Sequence, residues 1–567
     1  MEKRVLLAVL LSFVVLYGYQ SIFVKPKSVA PVTVSTVDSP PASDRSTSAP
    51  SSPSPSTLNA PAAAQPLPDA ADAPLVADTL ERTVTVDGPA IHAEFSTRGA
   101  ILKSWTLKKY ADGTGKAVEL VSQAPSASIP PAFAVSVADD GTTRRLQTAL
   151  FKPSASALQL SGSPSTDTLA FDYEEPSGLK ARKVFSFGDA QQPYVLKVDA
   201  SVWQQGQGLA LTLHSGAGLG DVAAAPAQRS FFAPNYEVPS GGLMFRDGKV
   251  TRMAASSFAQ TPNFNGQIAY IGIEDHYFLQ LLLSPQIPVD VAFGASSEEV
   301  AARHVHFGVT FPATPASATY YFGPKQFETL AATNRELVRA INFGMFDVIV
   351  VPLLRALNWV NGYVGNYGWA IIILTILING AMFPLRHKSV VSMRKLQQIQ
   401  PEVKAIQDRY AHLKVTDEAR AKMNTELMAL YKAKGVNPAS GCVPMLLTLP
   451  VLFAFYSMLS QAIELRGAPF VGWITDLSKH DPSYVTPILM GITMVWQQKI
   501  TPSSADPVQQ KVMLFMPVMF TFMFLWAPSG LVVYWLISNL WGIGQQYLTS
   551  AIVGGGPTPV PARSAGK

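Results

Sequence analysis

Thr375 and Asn379 stand four residues apart inside the apolar stretch NYGWAIIILTILINGAMFPL, residues 366–385. On a helix that spacing sets both side chains on one face. Neither is a nucleophile with a base beside it. A hydroxyl and a carboxamide at that depth can hold water, bond a neighbouring helix, or bond back to the carbonyl four residues earlier. Two readings stand open on this segment alone: a local or interhelical hydrogen bond, and a face that lines a wet cavity. No rival centre is legible. The chain carries no P-loop, GxSxG, HExxH or GxGxxG opening a helix. Its eight His show no ligand spacing, and His92, His276, His304 and His306 read as surface or core residues. The aromatic pairs Phe231-Phe232 and Tyr320-Tyr321 read as core. One cysteine, Cys442, excludes an intramolecular disulfide and Cys-type metal clusters. Neither a metal nor a cofactor is expected.

The elements that must position this pair follow from composition. The 567 residues are 48% hydrophobic and 15% charged, against about 25% charged in soluble domains. Twenty helical residues at 1.5 Å each cross the hydrocarbon core. Tyr367 and Trp369 mark one end of the stretch, and Pro384 then Arg386, His387 and Lys388 mark the other. A polytopic α-helical membrane protein with an all-β domain is the expected fold.

In chain order, 1–24 reads as an uncleaved N-terminal transmembrane anchor, basic at Lys3 and Arg4 and hence cytoplasmic at its start. Residues 25–78 are a Pro/Ser/Ala-rich disordered tether. Alternating runs such as TVTV (83–86), IHAEF (91–95), ILKSWTL (101–107), YVLKVDASV (194–202) and LALTL (209–213) predict an antiparallel β domain over 79–325. Residues 326–365 read as an amphipathic helix lying in the outer interface, kinked at Pro352. The second span is 366–385. The segment 386–436 predicts a cytoplasmic helical hairpin, because 386–435 holds eleven Lys/Arg against five acids and apolar residues recur at helical spacing. Spans follow at 437–463, 482–499, 511–527 and 530–553. They are joined by an outer loop at 464–481, an inner loop at 500–510 and the tight turn APSG at 527–530, with a cytoplasmic tail at 554–567. The expected topology is six spans, both termini cytoplasmic and the large domain outside.

Four stretches carry a likeness to a known family: NPASGCVPMLLTLPVLFAFY (437–456), ELRGAPFVGWITDLSKHDPSYVTPILMG (464–491), DPVQQKVMLFMPVMFTFMFLWAPSGLVVYWLISNL (506–540) and GNYGWAIIILTILINGAMFPL (365–385). With FGPKQFETL at 322–330, the sequence resembles the YidC/Oxa/Alb family of membrane insertases, in its form with a large periplasmic domain. The resemblance implies a five-helix core around a groove open to cytoplasm and lipid, together with a β-supersandwich. It implies insertion and folding of inner-membrane proteins without covalent catalysis. Implied partners are nascent membrane proteins, the Sec translocon, the ribosome and the signal recognition particle or its receptor, and membrane lipids, but no DNA.

By the same resemblance the groove residues are Thr375, Asn379, Leu449, Leu452, Gln497, Gln498, Tyr534 and Trp535. Asn379 falls where the family has its groove arginine, and Trp535 replaces a second tyrosine. A neutral Asn379 offers hydration but no charge, so Asn379→Arg is expected to be tolerated. Gln497, polar where the family is often apolar, adds wetting. Lys395, Lys404 and Arg409 on the basic hairpin are the expected recruitment residues. A transporter or channel is the competing reading, and a sugar-binding β domain a third. No inverted repeat, ionisable relay or aromatic platform supports either.

Overall fold

The structure is a computed structural model that describes residues 74–112, 115–122, 129–162, 167–219, 240–260, 264, 268–285, 289–295, 305–410, 417–435, 443–501 and 507–552. The side chains of 259, 260, 345, 417, 419, 420, 443–449 and 507–512 are not described. The chain divides into two compact units. One comprises 1–70 and 506–512, of which only the helical backbone of 507–512 is described. All that follows concerns the other. The expected N-terminal anchor, most of the tether, the tail, His304, the Phe231-Phe232 pair and Cys442 lie outside the described residues.

Period-two burial builds the β domain. In Thr168–Glu174 the side chains of Leu169, Phe171 and Tyr173 are buried, and in Leu179–Phe187 those of Leu179, Ala181, Lys183, Phe185 and Phe187. Each such residue faces the core because successive strand side chains alternate. The largest sheet orders its strands Lys249–Ala254, Gly241–Arg246, Tyr270–Glu274, Phe278–Leu283, Ala316–Pro324, Val195–Gln204, Leu179–Phe187, Thr168–Glu174 and Lys152–Pro153, with Gln207–Gly208 pairing on Val195–Gln204. A five-stranded sheet (Ala117–Glu119, Ile101–Ala111, Ile91–Ser96, Thr83–Asp87, Ala157–Gln159) packs against it through Phe95, whose ring lies 4.7 Å from that of Phe185. The indole N–H of Trp105 donates to the Phe322 carbonyl at 3.0 Å across the same interface. Burying each such ring contributes about 1.5–3 kcal/mol. A four-stranded sheet (Asp290–Ala295, Val305–Phe311, Leu211–His214, Val135–Ser136) completes the domain.

The expected antiparallel pattern holds with one correction: Thr83–Asp87 pairs in parallel with Ala157–Gln159. Tyr320 and Tyr321 are buried. His276 is also buried, while His92 and His306 are half-buried on strands.

Period two also carries Lys183 into this core. Its ammonium donates to the carbonyls of Gly99 at 2.7 Å, Ala100 at 3.2 Å and Phe133 at 2.8 Å. All three acceptors have left-handed backbones, with φ of 69°, 46° and 62°. Burial lowers the Lys183 amine to about 7, so these carbonyls compensate its removal from water.

Ten α-helices are described: α1 (Asp140–Thr148), α2 (Phe327–Thr333), α3 (Asp347–Val364), α4 (Tyr367–Gln398), α5 (Gln400–Tyr410), α6 (Asp417–Ala433), α7 (Val443–Gln461), α8 (Val485–Ile500), α9 (Pro507–Phe524) and α10 (Ser529–Ile552). Among the described residues α4 is the one helix both long and apolar enough to cross a membrane, with mean hydropathy 1.9 in its most apolar window. Met513–Phe524 is apolar but shorter.

α3 and α4 meet at a two-residue corner. Gly365, at φ 68°, closes α3, and the Asn366 side chain accepts from the Gly368 and Trp369 amides at the start of α4. Both are residue types suited to those positions. On α3, Val350, Leu354, Leu357 and Val360 are buried while Val348, Trp359 and Tyr363 are exposed. The single helix expected over 326–365 is instead broken into α2, 3₁₀ turns at Arg335–Ala340 and Gly344–Phe346, and α3, which runs through Pro352 with one apolar face inward and large aromatics outward.

The inner end of α4 is not at residue 385. The helix runs on through Pro384 to Gln398, so Val390, Met393 and Leu396 ride on α4 itself. Proline is tolerated there as an interior residue, and the stripe continues without a break. The hairpin proper is α5 and α6, whose turn lies outside the described residues.

Candidate polar site on the apolar helix

Each polar group on α4 has a definite partner. The Thr375 hydroxyl donates to the Ile371 carbonyl at 2.6 Å, and the Asn379 amide N–H donates to the Thr375 carbonyl at 2.8 Å. Both are bonds to the carbonyl four residues earlier, so neither side chain reaches a neighbouring helix directly. Thr375 is fully buried and Asn379 nearly so. That leaves the Asn379 side-chain oxygen, which accepts from Arg386 Nη1 at 2.8 Å. Side chains on a helix lean toward its N-terminus. Arg386, seven residues on, therefore reaches back two turns along the same face. The carboxamide orientation is fixed, because exchanging O and N would set oxygen against oxygen at one end and N–H against N–H at the other.

α10 closes the site on one side. Tyr534 is buried, its ring stacked on Phe455 of α7 at 4.2 Å. Below, His387 and Thr549 are hydrogen-bonded at 3.1 Å, and Arg394 donates to the Ser550 hydroxyl. Gln545 donates to the Phe383 carbonyl at 3.3 Å, a bond from a side chain of α10 to the backbone of α4. On the adjacent face of α4 an apolar crevice of about 730 Å³ opens against α10, lined by Ile376, Gly380, Phe383, Ile537, Leu540 and Trp541 among others.

The remaining sequence-named residues are dispersed. Trp535 faces α9, its ring 4.9 Å from Phe524 and 5.8 Å from Phe520. Gln497 packs on Gly542 of α10, where an added Cβ would sit 2.3 Å from its amide nitrogen. Leu452 is half-buried against the core and Gln498 is half-buried on α8. The Leu449 side chain lies outside the described residues. The structure therefore links Thr375, Asn379 and Arg386 in one run of hydrogen bonds along α4, while Gln497, Trp535 and Tyr534 make their own contacts on neighbouring helices. Sequence reasoning named Arg386 only as an end marker. Its spacing of seven from Asn379 was the available signal, since residues seven apart return to one helix face.

The outer end is pinned by loop 464–481. Gly368 lets the Phe470 ring approach α4, since an added Cβ would lie 2.0 Å from it. Asn366 donates to the Pro469 and Phe470 carbonyls. Burial pushes the Glu464 carboxyl up to about 7. Burial also acts to raise Asp481, but bonds from the Thr486 amide and hydroxyl, the Ser483 amide and the Trp473 indole outweigh it and hold the carboxyl low. Asn539 ties α10 to α8 through the Met490 carbonyl at 3.3 Å and the Thr493 hydroxyl at 3.2 Å.

The basic hairpin divides its cations into two kinds. Arg409 pairs with Glu426 at 2.6 Å and Lys434 with Glu402 at 2.7 Å, clasping α5 to α6. Lys395 and Lys404 are exposed and form no ion pair among the described residues. Reversing Lys395 and Lys404 to Glu is accordingly expected to leave the fold within about 0.5 kcal/mol, read as an unchanged midpoint of thermal unfolding. Arg409→Glu is a poorer probe, because it sets like charges against Glu426.

Residues 359–554 match the family model described as 60Kd inner membrane protein, and residues 83–356 match that of the YidC periplasmic domain. The membrane protein insertase YidC of Geobacter metallireducens is 38% identical, covering 97% of this chain and 99% of its own length. That of Geobacter sulfurreducens is 36% identical, covering 96% and 98%. A crystal structure of an active YidC insertase with its first transmembrane domain resolved shares 16% identity, covers 84% of this chain and 95% of its own, and overlays with a TM-score of 0.34.

Proposed function

Because the chain belongs to the YidC family of membrane protein insertases, we propose that it inserts membrane proteins by admitting a short polar segment at the Thr375–Asn379–Arg386 stripe. The chain is an inner-membrane protein with a periplasmic β domain, and its relatives are insertases rather than enzymes. The observation that carries the reading is the polar stripe itself. Three polar side chains run along one face of the one described helix long and apolar enough to cross a membrane, and the stripe ends in a guanidinium. Moving a hydrated segment through hydrocarbon costs several kcal/mol per unpaired polar group. Polar side chains and the water they hold shorten the apolar path and lower that cost. No bond is made or broken, so the work is one of solvation alone.

The fuller arrangement is six spans with five around the groove, both termini and the basic hairpin cytoplasmic, and a β-supersandwich outside. The excess of Lys and Arg in 386–435 supports that orientation. Exposed Lys395 and Lys404 suit recruitment of a ribosome or of the signal recognition particle and its receptor. Work alongside the Sec translocon and contact with membrane lipids complete the proposal. The β domain is dispensable for insertion in this reading, since the polar stripe lies wholly on α4.

The test is rescue of an insertase-depleted strain by this chain, paired with crosslinking from position 379 to a stalled nascent membrane protein. Rescue with a crosslink supports the reading. Rescue without any crosslink from 379 would move the substrate path elsewhere, and failure to rescue despite normal accumulation would count against insertion.

A further inference from the structure

We propose that the crevice between α4 and α10 binds an anionic phospholipid of the inner leaflet, with its acyl chain along Ile376 and Leu540 and its phosphate at Lys388. This site goes beyond the insertase reading and is independent of it. Only the choice of leaflet rests on the proposed orientation.

The crevice is separate from the polar stripe. Its α4 wall includes Ile376 and Gly380, which follow Thr375 and Asn379 by one residue each. One residue is about 100° around a helix, so the two faces look in different directions.

Along its length the crevice changes from apolar to cationic, as an amphiphile does. At one end Ile372, Ile376, Ile537 and Leu540 offer only hydrocarbon, and Ile376 and Leu540 are 40% and 44% exposed. A turn or two further on, polar atoms without partners gather. Pro384 has no N–H to give the Gly380 carbonyl. Gln545 is more than nine-tenths buried and donates to the Phe383 carbonyl, yet its side-chain oxygen accepts no bond among the described residues. The buried Trp541 indole N–H likewise has no partner among them. Such groups are costly in hydrocarbon. The ester oxygens and glycerol hydroxyls of a phospholipid are the acceptors and donors they lack.

One turn beyond Pro384 stands Lys388, exposed and in no ion pair among the described residues. Helical side chains lean toward the N-terminus, which directs its ammonium back toward the crevice. Neither α4 nor α10 contains an Asp or Glu, so a phosphate there meets no like charge. His387, hydrogen-bonded to Thr549, and Arg394, hydrogen-bonded to Ser550, tie the two helices together just below. Basic pockets between helices on the cytoplasmic side suit anionic headgroups.

Length favours a lipid over a client helix. From Ile372 to Pro384 the wall runs about 18 Å at 1.5 Å per residue, close to the roughly 15 Å of one leaflet and well short of the roughly 30 Å that a spanning helix needs. Gly544 leaves the room. Nothing among the described residues lies within 4 Å of where its Cβ would stand, so this glycine is not drawing α10 against a neighbour, the common use of glycine in spans.

The experiment places the full chain in vesicles of phosphatidylethanolamine and phosphatidylglycerol in equal parts, with a trace of phosphatidylglycerol carrying a diazirine on its acyl chain. After irradiation, mass spectrometry locates the adducts. Labelling at Ile376 and Leu540 is expected to exceed that at Ile492 and Val518, which are more exposed, at 57% each. Gly544→Leu fills the crevice and is expected to lower crevice labelling about tenfold, with Ile492 and Val518 unchanged. Lys388→Gln is expected to lower it about fivefold for this probe and less than twofold for a phosphatidylcholine probe with the same chain. Crevice labelling no stronger than at Ile492 and Val518, or unaltered by Gly544→Leu, would overturn the proposal. So would an equal response of both probes to Lys388→Gln, which removes the anionic headgroup. If Gly544→Leu fails to accumulate, Leu540→Trp fills the same space from an exposed position and is judged on adducts at Ile376. Benzoylphenylalanine at position 540 tests the rival occupants: a lipid adduct supports the site, and capture of the N-terminal segment of this chain or of a client protein in its place overturns it.

Discussion

Asn379→Leu is expected to lower insertion by about tenfold or more while the protein still accumulates. Leucine suits the helix and the apolar surroundings, so the fold loses little. What disappears is the acceptor for Arg386 Nη1 and the donor to the Thr375 carbonyl. A hydrogen bond to a charged group is worth roughly 1.5–3 kcal/mol, which corresponds to about one to two orders of magnitude. Released from Asn379, the guanidinium is free to swing outward to the interface, and the stripe loses both its hydration and its charge at mid-helix. Insertion of a small substrate, normalised to the amount of protein in the membrane, reads the effect. A well-expressed and fully active leucine variant would remove this position from the mechanism and leave the Asn379 bonds as local helix packing.

The second large effect is expected in the β domain. Glu274 is buried and receives Lys325 Nζ at 2.6 Å and Arg252 Nε at 2.8 Å. Lys325 is buried too, and also donates to the Asp275 carbonyl at 2.6 Å. Removing one partner of such a group strands a charge and costs about 3–5 kcal/mol, whereas replacing the whole set by apolar residues can be close to neutral. Glu274→Leu is therefore expected to lower the midpoint of the domain's thermal unfolding by about 10 °C, since 1 kcal/mol shifts a domain of this size by roughly 2–4 °C. Adding Lys325→Met is expected to recover much of the loss. Intrinsic fluorescence during heating of the full chain in detergent measures both. A shift below about 2 °C for Glu274→Leu would mean that Lys325 and Arg252 reach water when the carboxylate is gone.

This cluster also joins the β domain to the helices. The turn after Glu274 carries His276, which donates from Nε2 to the Ser460 carbonyl at 2.9 Å, and Phe278, which lies 4.9 Å under the Arg466 guanidinium. The half-buried Asp275 carboxyl, pushed up by its withdrawal from water, accepts from the Tyr277 and Phe278 amides and fixes the turn. Glu274→Leu thus asks two questions at once. The proposed dispensability of the domain requires insertion at 25 °C to stay within about twofold of wild type even as the thermal midpoint falls.

Much was settled by the sequence itself. Alternation placed the strands at 83–87, 91–96 and 101–111 within a few residues of the runs that announced them, because a period of two needs only local information. The same holds for the polar pair on α4 and for the apolar stripes of the hairpin, which form a cluster of Leu396, Ile399 and Val403 with Leu427 and Leu430. Long composite motifs carried the family, since many residue types at fixed spacing rarely recur by chance.

What the sequence left open were choices that depend on where a flexible side chain ends. Lys183 follows the strand period into an apolar core, and only the approach of three carbonyls from distant loops makes that tenable. The parallel pairing of Thr83–Asp87 with Ala157–Gln159 joins segments some seventy residues apart, beyond the reach of any local pattern. Position 379 seemed to lack a cation because the residue there is asparagine. Tertiary structure supplied one from two turns away, since an arginine side chain is long enough to carry its charge far from its own Cα and its resting place is set by the acceptor it finds.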